Sequence, residues 1–80
     1  MKLQVLLFGI TRDIVGKSML ELDYRGPSDI QSFKEMLKDK YPEMSNLSHF
    51  KIAINQEFAR EDSQLQEGDE IALIPPVSGG

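Results

Sequence analysis

The residues best suited to chemistry are the last six of this 80-residue sequence, Pro75-Pro76-Val77-Ser78-Gly79-Gly80. Gly79 and Gly80 carry no side chains, so a narrow channel can close around their backbone and nothing crowds the terminal carboxylate. A free carboxylate is a poor acyl donor. Transfer of AMP from ATP converts it into a mixed anhydride, and attack at a terminal glycyl carbonyl meets no Cβ. A persulfide nucleophile would leave, after reduction, a thiocarboxylate, which is a protein-bound sulfur donor. A lysine amine would leave an isopeptide bond. Pro75 and Pro76 favour a stiff polyproline II path, so residues 75–80 are expected to leave the domain as a flexible, extended tail. Extended, six residues reach roughly 20 Å, enough to enter a neighbour's active site. Chain ends are often frayed and inert; the two prolines and the apolar segment before them weigh against that reading here.

Little else in the sequence offers reactive chemistry. The absence of cysteine removes disulfides, thiolate metal sites and cysteine nucleophiles together. His49 is the only histidine and has no second histidine or cysteine to share a metal with, so a loop role is expected and no metal site. Glu61-Asp62 and Asp69-Glu70 are adjacent pairs. Neighbours in a strand point to opposite faces, so neither pair makes a natural acid–base couple. Arg12 reads as a solvated loop charge or as a partner for a carboxylate on another protein, and Met19, Met36 and Met44 read as core or gap-filling residues. There is no nucleophile–base set and no phosphate loop. The chain is therefore not expected to be an enzyme on its own or to hold a permanent cofactor; any ATP would be consumed by an activating enzyme.

Length and charge narrow the class further. Eighty residues make one domain, 1–80. A chain of this size buries only about 60–65% of its unfolded surface, which leaves little for a deep catalytic cavity. Nine basic and thirteen acidic residues give a formal charge of −4, which disfavours nucleic acid as a partner. The acidic residues thicken late, at Glu57, Glu61, Asp62, Glu67, Asp69 and Glu70, and read as a solvated loop surface or as a face that steers the domain toward a basic partner. The apolar run Val5 to Phe8 is too short for a signal segment or a membrane span, so no membrane association and a cytoplasmic location are expected.

The elements that must position the tail are legible as five pieces. Lys2 to Phe8 is a strand with Leu3, Val5 and Leu7 on one face and Leu6 and Phe8 on the other, which suits a central position. Gly9 and Gly16 bracket a loop, and Ser18 to Asp23 is a half-buried strand hairpinned to the first. Ser28 with Gln31 reads as a capping box opening a helix whose Ile30, Phe33, Leu37 and Tyr41 fall at helical spacing, ended by Pro42. Residues 43–50 read as irregular. Lys51 to Ile54 is a short strand, Asn55-Gln56 a turn, Phe58 an edge segment and Gly68-Asp69 another turn. Ile71 to Ile74 is apolar throughout, as a second central strand would be, and Pro75-Pro76 ends it. Setting the first and last strands side by side makes them parallel, with the helix in the crossover. The expected fold is α+β, a β-grasp (ubiquitin-like) domain with a mixed sheet of four to five strands and one main helix across one face.

With those elements in place, the chain resembles the molybdopterin synthase small subunit, a family of ubiquitin-like sulfur carriers. The resemblance spans nearly the whole chain and rests on Gly68-Asp69-Glu70-Ile71-Ala72-Leu73-Ile74 with the Pro-Pro-Val-Ser-Gly-Gly ending, on Arg12-Asp13-Ile14-Val15-Gly16, and on Ala53-Ile54-Asn55-Gln56. Thiamine-pathway sulfur carriers also end in Gly-Gly but usually lack the Pro-Pro pair. The resemblance implies that a ubiquitin-activating-type adenylating enzyme activates Gly80, that Gly80 becomes a thiocarboxylate, and that the tail enters the molybdopterin synthase large subunit. Sulfur would pass there to cyclic pyranopterin monophosphate in molybdenum cofactor biosynthesis. The family assembles as a heterotetramer whose catalytic residues lie on the large subunit.

Family members dock partners through an apolar patch on the exposed sheet face, and by position Phe8, Phe58 and Ile74 match it. Strand phase agrees in part, since Phe8 and Ile74 fall opposite the helix-facing sets, and an exposed apolar patch calls for a partner. A small satellite core is the competing explanation. Two other functions share these features: a ubiquitin-like modifier joined to lysines through Gly80, and an interaction module that uses the sheet face alone.

Overall fold

A computed structural model describes residues 1–46, 50–60 and 62–75. Along the chain the elements are β1 (Lys2–Leu7), α1 (Gly9–Val15), β2 (Met19–Asp23), α2 (Ile30–Lys40), a 3-10 turn (Pro42–Asn46), β3 (Lys51–Ile54), β4 (Glu57–Phe58) and β5 (Glu70–Ile74). The five strands form one mixed sheet in the order β2-β1-β5-β3-β4. β1 and β5 lie side by side and parallel at its centre, and the remaining pairings are antiparallel. This is the α+β, β-grasp arrangement expected from the apolar character of the first and last strands.

Alternation along the central strands decides which face is which. Leu3, Val5 and Leu7 of β1 and Ile71 and Leu73 of β5 are buried, and they join Ile30, Phe33 and Leu37 of α2 in one core. The cross-strand register places Val5 against Ile71 and Leu7 against Leu73, so each pair meets α2 together. Phe33 packs edge-on to Tyr24 at a centroid distance of 5.4 Å, the geometry that ring quadrupoles favour. Met44, from the 3-10 turn, is fully buried and closes one end of the core.

Four expectations need correction. The segment between Gly9 and Gly16 is a short helix, not a loop. Its seven residues include Ile10, Thr11, Ile14 and Val15, all β-branched and poor in helix propensity. Local bonds and the partial burial of Ile14 and Val15 against the core hold it instead, and Gly16 ends it at φ 84. The cap of α2 is Asp29, whose Oδ2 accepts from the Ser32 N–H at 2.9 Å. Ser28 lies one residue too early: its carbonyl accepts from the Leu65 N–H and its hydroxyl donates to Gln64. Met19 is 47% exposed and fills no gap in the core. Asp69, grouped with the solvated acids, is buried. Its two oxygens accept from Asn55 Nδ2 and the Gln66 N–H, which ties the β3–β4 turn to the start of β5.

Candidate functional site

Residues paired across a sheet share a face, so the register maps the surface opposite α2. One row crosses all five strands: Met19 of β2, Leu6 of β1, Ala72 of β5, Ala53 of β3 and Phe58 of β4. The middle of the row is low, because the two alanines stand between larger side chains. Its ends are high, with Met19 47% and Phe58 66% exposed. The next row, toward the end where β5 finishes, pairs Ile74 with Lys51. The parallel register that sets Leu7 against Leu73 carries Phe8, 50% exposed, to the level of Ile74. Lys51 Nζ sits 5.4 Å from the centre of the Phe58 ring, a cation held over an aromatic face. At the opposite end the same face is polar, with Gln4 between Glu21 and Glu70 and Lys2 opposite Asp23. The face therefore has an apolar half bordering the start of the tail and a charged half away from it.

The three residues expected to form a patch fall on this apolar half. Phe8 and Phe58 are exposed and Ile74 is half-buried. Phase along single strands pointed to Phe8 and Ile74, and the family resemblance alone to Phe58. Phase also set Leu6 on the face of Phe8, but Met19, Ala53, Ala72 and Lys51 join the surface only once the pairings are known. Ile10, in the first turn of α1, adds a further apolar side chain near Phe8 that is 46% exposed.

The junction after β1 sets the direction of Phe8. Thr11 is fully buried, and its Oγ1 accepts from the Phe8 N–H at 3.0 Å and donates to the Phe8 carbonyl at 2.6 Å. The Thr11 N–H also donates to that carbonyl. One hydroxyl thus fixes the turn from β1 into α1 and leaves the Phe8 ring outside it. The Phe8-x-x-Thr11 spacing is half of a capping box, and that was the available sequence signal.

β5 delivers the chain to Pro75 at the rim of this face. Gly9, at φ 55, lies against Pro75: a Cβ on Gly9 would stand 3.1 Å from Pro75 Cγ. The close approach brings the end of β1 and the root of the tail together. Of the tail residues, Pro75 is described, and Pro76, Val77, Ser78, Gly79 and Gly80 lie outside the described residues, as do Glu61 and His49. Arg12 is exposed on α1. No helix among the described residues is long and apolar enough to cross a membrane.

The ThiS family model matches residues 5–80. The molybdopterin synthase sulfur carrier subunit of Dictyostelium discoideum is 36% identical, over 96% of this chain and 94% of that protein. The solution structure of small archaeal modifier protein 1 from Methanosarcina acetivorans superposes with a TM-score of 0.79 at 26% identity, covering 99% of this chain and 96% of the other. A chain from a Helicobacter pylori complex between subunits 1 and 2 of molybdopterin-converting factor superposes with a TM-score of 0.68 at 26% identity, covering all of both chains.

Proposed function

Because the chain belongs to the ThiS family, we propose that it is the sulfur carrier subunit of a molybdopterin synthase, with residues 75–80 as its reactive tail. The observation that carries this reading is the run of the central strand β5 out to Pro75, beside an apolar face, in a sequence that continues Pro76-Val77-Ser78-Gly79-Gly80. The relative from Dictyostelium is a molybdopterin synthase sulfur carrier subunit, and the Helicobacter structure is a complex of two subunits, which supports a large-subunit partner.

In this reading an adenylating enzyme brings ATP to the Gly80 carboxylate. A carboxylate oxygen attacks the α-phosphate and pyrophosphate leaves. The outer sulfur of a persulfide then attacks the carbonyl and AMP leaves. A thiol reductant cleaves the resulting acyl disulfide, and the thiocarboxylate remains on Gly80. The large subunit supplies the acid–base groups that move this sulfur to cyclic pyranopterin monophosphate, and Gly80 returns to a carboxylate by hydrolysis. This chain contributes the sulfur and the apolar face of Phe8, Phe58 and Ile74 that holds the partner, with no permanent cofactor of its own. Deleting Gly80 tests the assignment: sulfur transfer should vanish while the circular dichroism spectrum stays unchanged. Transfer that survives the deletion would reject it.

A second reading has support from the likeness to an archaeal modifier protein. There the activated Gly80 carbonyl joins a lysine amine. Lysine conjugates that disappear with Gly80, together with a lack of sulfur transfer, would favour it.

A further inference from the structure

On the α2 side of the sheet edge lies an open groove of about 700 Å³ between the first turns of α2 and the β3–β4 hairpin. Its floor is apolar, built from Ile30, Phe50 and Ile52, all buried. Its rim carries Lys34, Lys51 and Arg60, three of the nine basic residues in a chain of net charge −4. None of the described residues that line it is acidic. None of the three cations is ion-paired among the described residues. Two of them are held over aromatic rings, Lys34 Nζ at 5.9 Å from the centre of Phe50 and Lys51 Nζ at 5.4 Å from the centre of Phe58. Both heads thus stand over apolar rings, with Lys34 half-buried and Lys51 exposed. Lys51 and Phe58 belong to the outer face as well, so groove and face are continuous around the sheet edge.

We propose that this groove docks an acidic segment of the partner that occupies the outer face, a stretch with an apolar side chain on the floor and carboxylates at the cationic rim. For the partner's identity the proposal rests on the reading above. Charge complementarity selects an acidic segment, since the rim has three cations and an otherwise acidic molecule would repel such a segment elsewhere. The apolar floor and the length of the groove, from α2 across to Arg60, suit a peptide better than an isolated anion.

The test uses the full chain with the large subunit of molybdopterin synthase from the same source as its binding partner. Association and dissociation rates are measured for the wild type, for Lys34→Glu with Arg60→Glu, for Lys34→Arg with Arg60→Lys, and for Phe58→Asp. Circular dichroism checks each fold. The double charge reversal is expected to raise Kd about tenfold or more at low salt, through both slower association and faster dissociation, with the charge-preserving pair close to wild type. The gap should narrow at roughly 0.5 M salt. Wild-type affinity in the charge-reversed variant, alongside weak binding by Phe58→Asp, would overturn the groove and leave the outer face standing. A loss confined to the association rate would overturn docking and indicate long-range steering alone. Wild-type binding by both variants would overturn the groove and the outer-face reading together.

Discussion

At the residue scale, single polar groups set the positions of side chains on the outer face and at the element ends. Thr11 is the clearest case, because its hydroxyl serves both backbone groups of Phe8. Thr11→Val keeps the shape but leaves the Phe8 N–H without its acceptor, while the Phe8 carbonyl keeps the backbone N–H of residue 11, so the change should cost about 1–3 kcal/mol in chemical denaturation. Unchanged stability would mean that the junction is held by packing alone. Asp29 and Asp23 contribute to the acid limb of stability. The Ser32 N–H holds the Asp29 carboxyl below the usual carboxylate range, and the Arg25 hydrogen bond and charge do the same for Asp23; burial opposes both effects. A depressed carboxyl stabilises the fold above its unfolded pKa, and that contribution is lost as pH falls through the lowered folded value. Stability should therefore decline below about pH 4. Asp29→Asn, which keeps a capping oxygen without the charge, should flatten that decline, as urea titrations across the pH range would show. An identical acid limb would assign the decline to other carboxyls.

At the scale of elements, the turns show where sequence patterns inform and where they mislead. Asn55-Gln56 was legible as a turn, and it joins β3 to β4 with both residues in the left-handed region, at φ 51 and φ 74. Asparagine tolerates that conformation and glutamine does not, so the second position favours glycine. Gln56→Gly should raise stability by roughly 0.5–1 kcal/mol, seen as a higher Tm, because relief of left-handed strain exceeds the entropy lost by adding glycine. A lower Tm would mean that the glutamine side chain makes a compensating contact. The α2 pattern was equally legible, since Ile30, Phe33 and Leu37 recur at helical spacing and are buried. Its cap was placed one residue early because Ser28 and Asp29 are both good capping residues, and only the pairing of Ser28 with Leu65 and Gln64 decides between them. Beyond the Phe8-x-x-Thr11 spacing at its start, α1 was not legible. Seven residues carry too little periodicity, and tertiary contacts form the helix against its own propensity.

At the scale of the whole molecule, the topology followed from one physical inference. Two strands apolar on both faces belong in the middle of a sheet, and placing β1 beside β5 fixed the parallel pair and the crossover through α2. The outer face was only partly legible. Its members come from five strands, and only the register sets Leu6, Ala72 and Ala53 in one row. Asp69 was misplaced for the same reason: its partners Asn55 and Gln66 meet it only in the folded chain. The charge pattern is likewise a property of the fold, with a basic groove on a chain of net charge −4. The central claim concerns Gly80, and intact mass spectrometry addresses it directly. The purified chain is incubated with ATP, a sulfide source and an extract containing its activating enzyme, beside a Gly80-deleted control. A mass increase equal to one sulfur replacing one oxygen, absent from the control, is the predicted result. No increase, in an extract that loads another carrier, would contradict a thiocarboxylate carrier.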